Sequence, residues 1–234
     1  MKKILLISIF LLLSLDFCSG QFLSYDTVEK NNAFSVGYYN HYFRFNDSEK
    51  ELMKSDQLGF KKYIPEICFE NRNLSLFLAY NKSNYEGKNM ELFGLDGYYK
   101  LFIPVTEPSW VQVSVPVILR TGYKKVVQEL EKTKTRLETG NAGIGSGFQI
   151  ENSSDIVDVR LFYSFCINYS TINFSVDYGF STQNDIILSF AFDNIFDDYG
   201  ILIGAKYSDQ KWKISDKKYN YYTSIYGGFI GITF

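Results

Sequence analysis

The chain holds a single histidine, His41, so any catalysis that needs an imidazole base must centre there. Such chemistry requires that base within hydrogen-bond reach of a nucleophile or water, and a carboxylate to orient it. No serine or acidic residue is tied to His41 by spacing, and no enzyme motif surrounds it. It reads as a core or girdle histidine. The cysteines are Cys18, Cys68 and Cys166, with no spacing that suits a zinc site. No metal or cofactor is therefore expected. The net charge of −2 and a pI near 5.6 give no basic footprint for nucleic acid.

The other residues able to carry chemistry are charges on the polar side of alternating segments. They are Asp96, Lys100, Arg120, Asp158, Arg160, Asp177, Asp185, Asp193 and Lys206, together with His41. Residues 109–123 show the pattern cleanly: Val111, Val113, Val115, Val117 and Leu119 oppose Gln112, Ser114, Pro116, Ile118 and Arg120. Similar period-2 segments are expected at 33–45, 74–82, 90–103, 141–150, 156–166, 171–181, 185–193 and 199–207. Strand character is also expected around Ile67 to Phe69, inside the charged stretch 46–73. Aromatic residues make up 18% of the chain, yet no apolar run after the first twenty residues is long enough for a membrane helix. Alternation hides a membrane face from average hydropathy.

The stretch Tyr219 to Phe234 (YNYYTSIYGGFIGITF) brings these segments together. Counting back from Phe234, one face carries Ile232, Ile230, Gly228, Tyr226, Ser224 and Tyr222. An exposed aromatic edge strand invites pairing with other chains, and closure into a barrel removes the edge. The stretch resembles the closing strand of bacterial outer-membrane β-barrels of the small OmpA/OmpX/OmpW-like class. The resemblance implies that Tyr226, Ile230, Ile232 and Phe234 form the signal read by the barrel-assembly machinery. It also implies a membrane of lipid and lipopolysaccharide or its equivalent around the barrel.

The fold expected is all-β: a single antiparallel up-and-down transmembrane β-barrel of about ten strands, with eight as the alternative. Residues 1–20 read as a signal peptide: Lys2 and Lys3, the apolar run Ile4 to Leu15, and a cleavage site at Cys18-Ser19-Gly20. Lipidation of Cys18 is the alternative to plain cleavage. Residues 21–32 then form a periplasmic segment, and 33–234 the barrel. With Phe234 in the periplasm, residues 46–73 fall outside the cell. Residues 124–140 fall in the periplasm as a short charged helix or flexible connection, and turns near 104–108, 152–155 and 182–184 fall outside. Cys68 and Cys166, placed a membrane thickness apart, are expected to be free thiols. Pro116 should mark a bulge or a weak local pairing.

Apolar residues facing lipid put the charged set in the lumen. There the charges either line a narrow water-filled path or pair and plug it; the glycines at 143, 145, 147, 227 and 231 leave local room or relieve crowding. Two functions follow. The barrel is a structural, surface-exposed anchor whose main outer contact is 46–73, with any extracellular ligand unidentified, or it is a narrow porin-like channel for small solutes. An outer-membrane enzyme is a minor alternative, and a soluble sandwich or lipocalin-like binder would invert the two faces.

Overall fold

The computed structural model describes residues 32–45, 58–85, 87–106, 111–130, 133–154, 156–173, 177–196, 199–216 and 220–234. The expected signal peptide, Cys18 and most of the expected periplasmic segment lie outside these residues. Ten antiparallel strands follow in chain order: β1 (Ala33–Phe45), β2 (Phe60–Glu70), β3 (Leu74–Tyr85), β4 (Lys88–Pro104), β5 (Val111–Leu130), β6 (Thr133–Ser153), β7 (Val157–Ile172), β8 (Asp177–Phe196), β9 (Tyr199–Ile214) and β10 (Tyr221–Thr233). Each pairs with its neighbour in sequence, and β1 pairs with β10 to close the barrel. That seam runs from Ala33↔Thr233 to Phe45↔Tyr221. Every strand thus has a partner on both sides, the only sheet arrangement that leaves no unpaired edge in hydrocarbon.

Ala33 and Thr233 lie at one end, periplasmic in the orientation that the resemblance implies; the opposite end is called outer here. Side-chain parity follows the alternation. Val117, Leu119, Ile144, Ile167, Leu188, Ile203 and Ile230 face outward and are exposed. Ser35, Tyr39, His41, Arg120, Asn141, Ser164, Asn168, Asp185 and Lys206 face inward and are buried. Large apolar residues exposed in bands around a closed sheet are the signature of a lipid-facing surface. Tyr99 shares the outward parity but is only 3% exposed.

The strand count agrees with expectation through two offsetting differences. Strand β2 occupies much of what was expected to be an outer connection, and the expected segment 171–181 joins 185–193 into β8, apart from residues that close β7. Thr182, Gln183 and Asn184 look like a turn in sequence, but Gln183 points into a polar lumen, and Asn184 bonds Asp209 of β9 at 3.2 Å. The described residues of 124–140 are strand and not helix, and they lie at the end opposite Ala33 and Thr233, not at the periplasmic end expected for them. Lys124 to Leu130 continue β5 and Thr133 to Gly140 begin β6, as one hairpin at the outer end. Their partners on the β4 side are Asn89 to Gly94, which extend the sheet beyond the length that crosses a bilayer. The strand ends Pro104 and Ser153 therefore lie at the end opposite this hairpin, periplasmic in the same implied orientation. Among the outer connections only 46–59 is long.

The turns have local causes. Gly87 adopts φ +77 in the tight β3–β4 turn, and its N–H donates to Asn84 Oδ1 at 3.0 Å. Asn71 Oδ1 accepts from the N–H groups of Asn73 and Leu74, closing the β2–β3 turn. Pro116 makes no bulge. The β5–β6 ladder lapses between Ser114↔Gln149 and Val117↔Ser146 with register unchanged, and Ser146 Oγ donates to the Pro116 carbonyl at 2.9 Å. A register irregularity does occur in β8, between Phe192 and Phe196.

Depth along the strand sets the cost of a lipid-facing charge. Ile144 lies mid-strand on β6, whereas Val113 lies two residues from the periplasmic start of β5. Ile144→Arg should lower the unfolding free energy of the refolded barrel by about 2–4 kcal/mol, and Val113→Arg by about 0–1 kcal/mol. Denaturant titration in lipid vesicles measures both.

Candidate functional site

Among the described residues, polar chemistry is concentrated in the lumen, which is built in layers. At the periplasmic end Glu70 of β2 accepts from two cations. Lys100 Nζ of β4 lies 2.8 Å from Oε1, and Arg160 Nη2 of β7 lies 3.1 Å from Oε2. The next layer is largely aromatic: Phe77, Tyr98, Ile118 and Phe162 pack with Cys68 and Cys166. Both thiols are buried and free, as expected, but for a different reason than the one expected. Cys68 lies on the inward face of β2 and not in an outer loop, so the two cysteines share one cluster on non-adjacent strands.

Above it the charges pair within the lumen. Lys206 Nζ donates to Glu66 Oε1 at 2.6 Å, joining β9 to β2, and the ammonium sits 3.9 Å from the Phe77 ring centroid. Arg120 Nη2 donates to Asp96 Oδ1 at 2.6 Å, and its guanidinium lies 5.3 Å from the Tyr98 ring. Asp185 Oδ2 accepts from the Tyr98 hydroxyl at 3.1 Å, while Gln183 Nε2 reaches Asp185 Oδ1 at 2.9 Å. A neutral network of Asn141, Asn168, Ser170, Ser181 and Gln210 continues outward. Desolvated charges survive in such an interior only when paired and hydrogen-bonded.

The outer mouth is closed by apolar side chains. Phe43, Leu58, Phe60, Met90, Leu92, Val126, Leu137, Ile172, Trp212 and Tyr221 form one buried cluster. Phe43 stacks between Phe60 and Tyr221, with centroids at 5.6 and 5.0 Å. Lys124 sits beneath this cap with its ammonium 5.1 Å from the Trp212 ring. Gln128 of β5 reaches across to grip the backbone at Gly59: its Oε1 accepts from the N–H at 3.2 Å, and its Nε2 donates to the carbonyl at 2.9 Å. That clamp holds Leu58 in the mouth.

Of the expected lumen residues, the structure brings together Asp96 with Arg120, and sets Asp185 beside their aromatic neighbour Tyr98. It gives Lys100, Arg160 and Lys206 partners that sequence reasoning missed, Glu66 and Glu70. Both lie on β2, whose alternation is obscured by Lys61, Lys62 and Pro65. Asp158 and Asp177 are not central; they lie at opposite rims, across from Ser153 and Ile172 respectively. Asp193 is in β8, but its side chain lies outside the described residues. His41 is only 2% exposed and points into the lumen, with no hydrogen-bond partner for Nε2 among the described residues. It is a core histidine, enclosed and away from the outer surface.

The glycines leave no extra room. A Cβ at Gly143, Gly145 or Gly147 would collide with β7 carbonyls, and at Gly227 or Gly231 with β1 carbonyls. They permit close strand approach. A cavity lined by Phe77, Tyr98, Lys100, Phe162, Asp185 and Lys206 measures about 10 Å³, barely the space of one water. Tyr226, Ile230 and Ile232 face outward on β10 and are exposed, as is Phe234 just beyond its end.

Removing one partner of a buried pair leaves the other uncompensated. Glu66→Ala should therefore destabilise the barrel by about 3–5 kcal/mol, and the double variant Glu66→Leu with Lys206→Leu should recover most of that loss. Denaturant midpoints at unchanged slope measure both.

No protein-family model matches this chain, and no curated protein sequence is similar to it. Solved structures do resemble it. The outer membrane protease OmpT from Escherichia coli aligns over 92% of this chain and 100% of its own, with TM-score 0.51 and 6% identity. The translocator domain of the autotransporter NalP from Neisseria meningitidis aligns over 87% of this chain and 89% of its own, with TM-score 0.38 and 5% identity. Ail, the attachment invasion locus protein of Yersinia pestis, aligns over 88% and 100%, with TM-score 0.25 and 10% identity. The likeness to the first extends to the fold, a barrel of the outer-membrane type.

Proposed function

We propose that this protein is a closed barrel of the bacterial outer membrane that anchors a surface-exposed hairpin, and that it conducts no solute. The observation that supports this reading is the filled lumen. Ion pairs, an aromatic layer and an apolar cap follow one another along the axis, and each would have to move before an ion could pass. Strands β5 and β6 carry the anchored surface, rising past the bilayer with Lys134 and Glu129 at their tip. No catalytic role enters: the lone imidazole is sealed inside, and no nucleophile bonds to it among the described residues. A narrow channel is the weaker reading, because the glycines that favoured it serve strand contact.

Planar-bilayer recording of the purified protein should show a silent membrane; discrete conductance steps would sink the anchor reading in favour of a channel. Orientation is tested separately. A cysteine at Lys134, whose side chain is 60% exposed, should react on intact cells with a membrane-impermeant maleimide. Cys68 and Cys166 should stay unlabelled.

A further inference from the structure

The lipid-facing belt at the outer end is electrically lopsided. About ten residues out from the periplasmic aromatics Phe34, Phe234 and Tyr199, each strand reaches the headgroup level. On β3 to β6 the outward charges there are mixed, with the cations Lys82, Lys125 and Arg136 standing among the carboxylates Glu91 and Glu138. Lys82 lies opposite Glu91, Glu91 accepts from Lys125 Nζ at 2.7 Å, and Glu138 takes the Tyr123 hydroxyl and Arg136. On β9, β10, β1 and β2 the same level carries Lys211, Lys213, Arg44 and Lys61. Among the described residues no carboxylate forms an ion pair with Lys61, Lys211 or Lys213. The outward-facing carboxylate on these four strands is Asp209, which sits deeper and accepts from Asn184 Nδ2. Asp216 lies beyond β9, in the turn to β10.

The cations are also arrayed. Arg44, Tyr222 and Lys211 are cross-strand partners on three adjacent strands. The Arg44 guanidinium and the Lys211 ammonium lie 5.4 and 5.7 Å from the same Tyr222 ring, and Arg44 lies 5.6 Å from Tyr42 as well. Lys213 pairs with Phe180, itself against Tyr169, which stacks on Tyr178. All three of these rings are exposed. Exposed amphipathic rings mark the headgroup level, so the neighbouring cations sit where lipid phosphates sit.

We infer that the outward belt formed by Lys61, Arg44, Tyr222, Lys211 and Lys213 binds the phosphorylated headgroup of an outer-leaflet lipid. The inference rests on the anchor reading only through the barrel's seat in the membrane. Cations held over a ring present their donors to the lipid side, and phosphate accepts several such bonds at once. The opposite half-belt, where Glu91 and Glu138 offset most of the positive charge, offers a weaker attraction.

The test titrates the delipidated protein in mild detergent with phosphatidic acid or phosphatidylcholine of the same acyl chains, and counts bound lipid by native mass spectrometry. The wild type should retain phosphatidic acid preferentially. Lys61→Gln, Lys211→Gln and Lys213→Gln should each lower that preference about five-fold. Lys82→Gln with Lys125→Gln, on the half-belt that carries Glu91 and Glu138, should change it far less. Heat-modifiable gel mobility verifies that each variant is folded. Wild-type preference in all three single variants, or an equal loss in the paired control, overturns the inference. Displacement of the lipid by inorganic phosphate at matched concentration also overturns it, because the ligand would then be the free ion. Conductance steps in a bilayer would sink the closed-anchor reading and leave the lipid preference standing, so the two failures are separable.

Discussion

Backbone groups in hydrocarbon find no water to bond, and that constraint shapes this molecule more than any side chain does. Ten strands satisfy it by pairing each with its chain neighbour and joining β1 to β10 through a continuous ladder from Ala33 to Phe45. Closure then imposes a second condition. Period-2 alternation sends every other side chain inward, so a lipid-facing row of valines, leucines and isoleucines comes with an equal row that must be reconciled inside a narrow tube.

The interior meets that demand with unlike layers. Glu70 is shared by Lys100 and Arg160, Glu66 answers Lys206, Asp96 answers Arg120, and the outer mouth is left to Phe43, Trp212 and their apolar neighbours. The ion pairs are expensive to desolvate, and a wholly apolar tube would avoid that cost. Such a tube would also erase the difference between the two faces of every strand. With Arg120 and Lys206 on the inward face, a one-residue slip of register would drive them into lipid. Register is thereby specified.

Much of this was legible in residue order. The alternation of Val111 to Arg120 named both the strand and its inward face, and the closing segment to Phe234 pointed to the barrel. Strand β2 showed only around Ile67 to Phe69, because Lys61, Lys62 and Pro65 interrupt its pattern on both faces. The outer half of the β5–β6 hairpin escaped because a run rich in Lys and Glu has helix-forming composition; only pairing with Asn89 to Gly94 makes it sheet. Thr182 to Asn184 looked like a turn because a strand that borders a polar lumen and a bonded neighbour needs no apolar residue there.

The sequence by itself determined the class of fold, the parity of each regular strand, and that the inward set would be charged, since alternation is a property of adjacent residues. It could not say which charges meet. Glu66 and Lys206 are 140 residues apart and come into contact only because β2 and β9 curve toward a common axis. Whether the lumen is open or filled, where the two thiols stand, and which half of the outer belt keeps unneutralised lysines were likewise decided by closure. Each depends on distances across the barrel, and those exist only once the last strand has met the first.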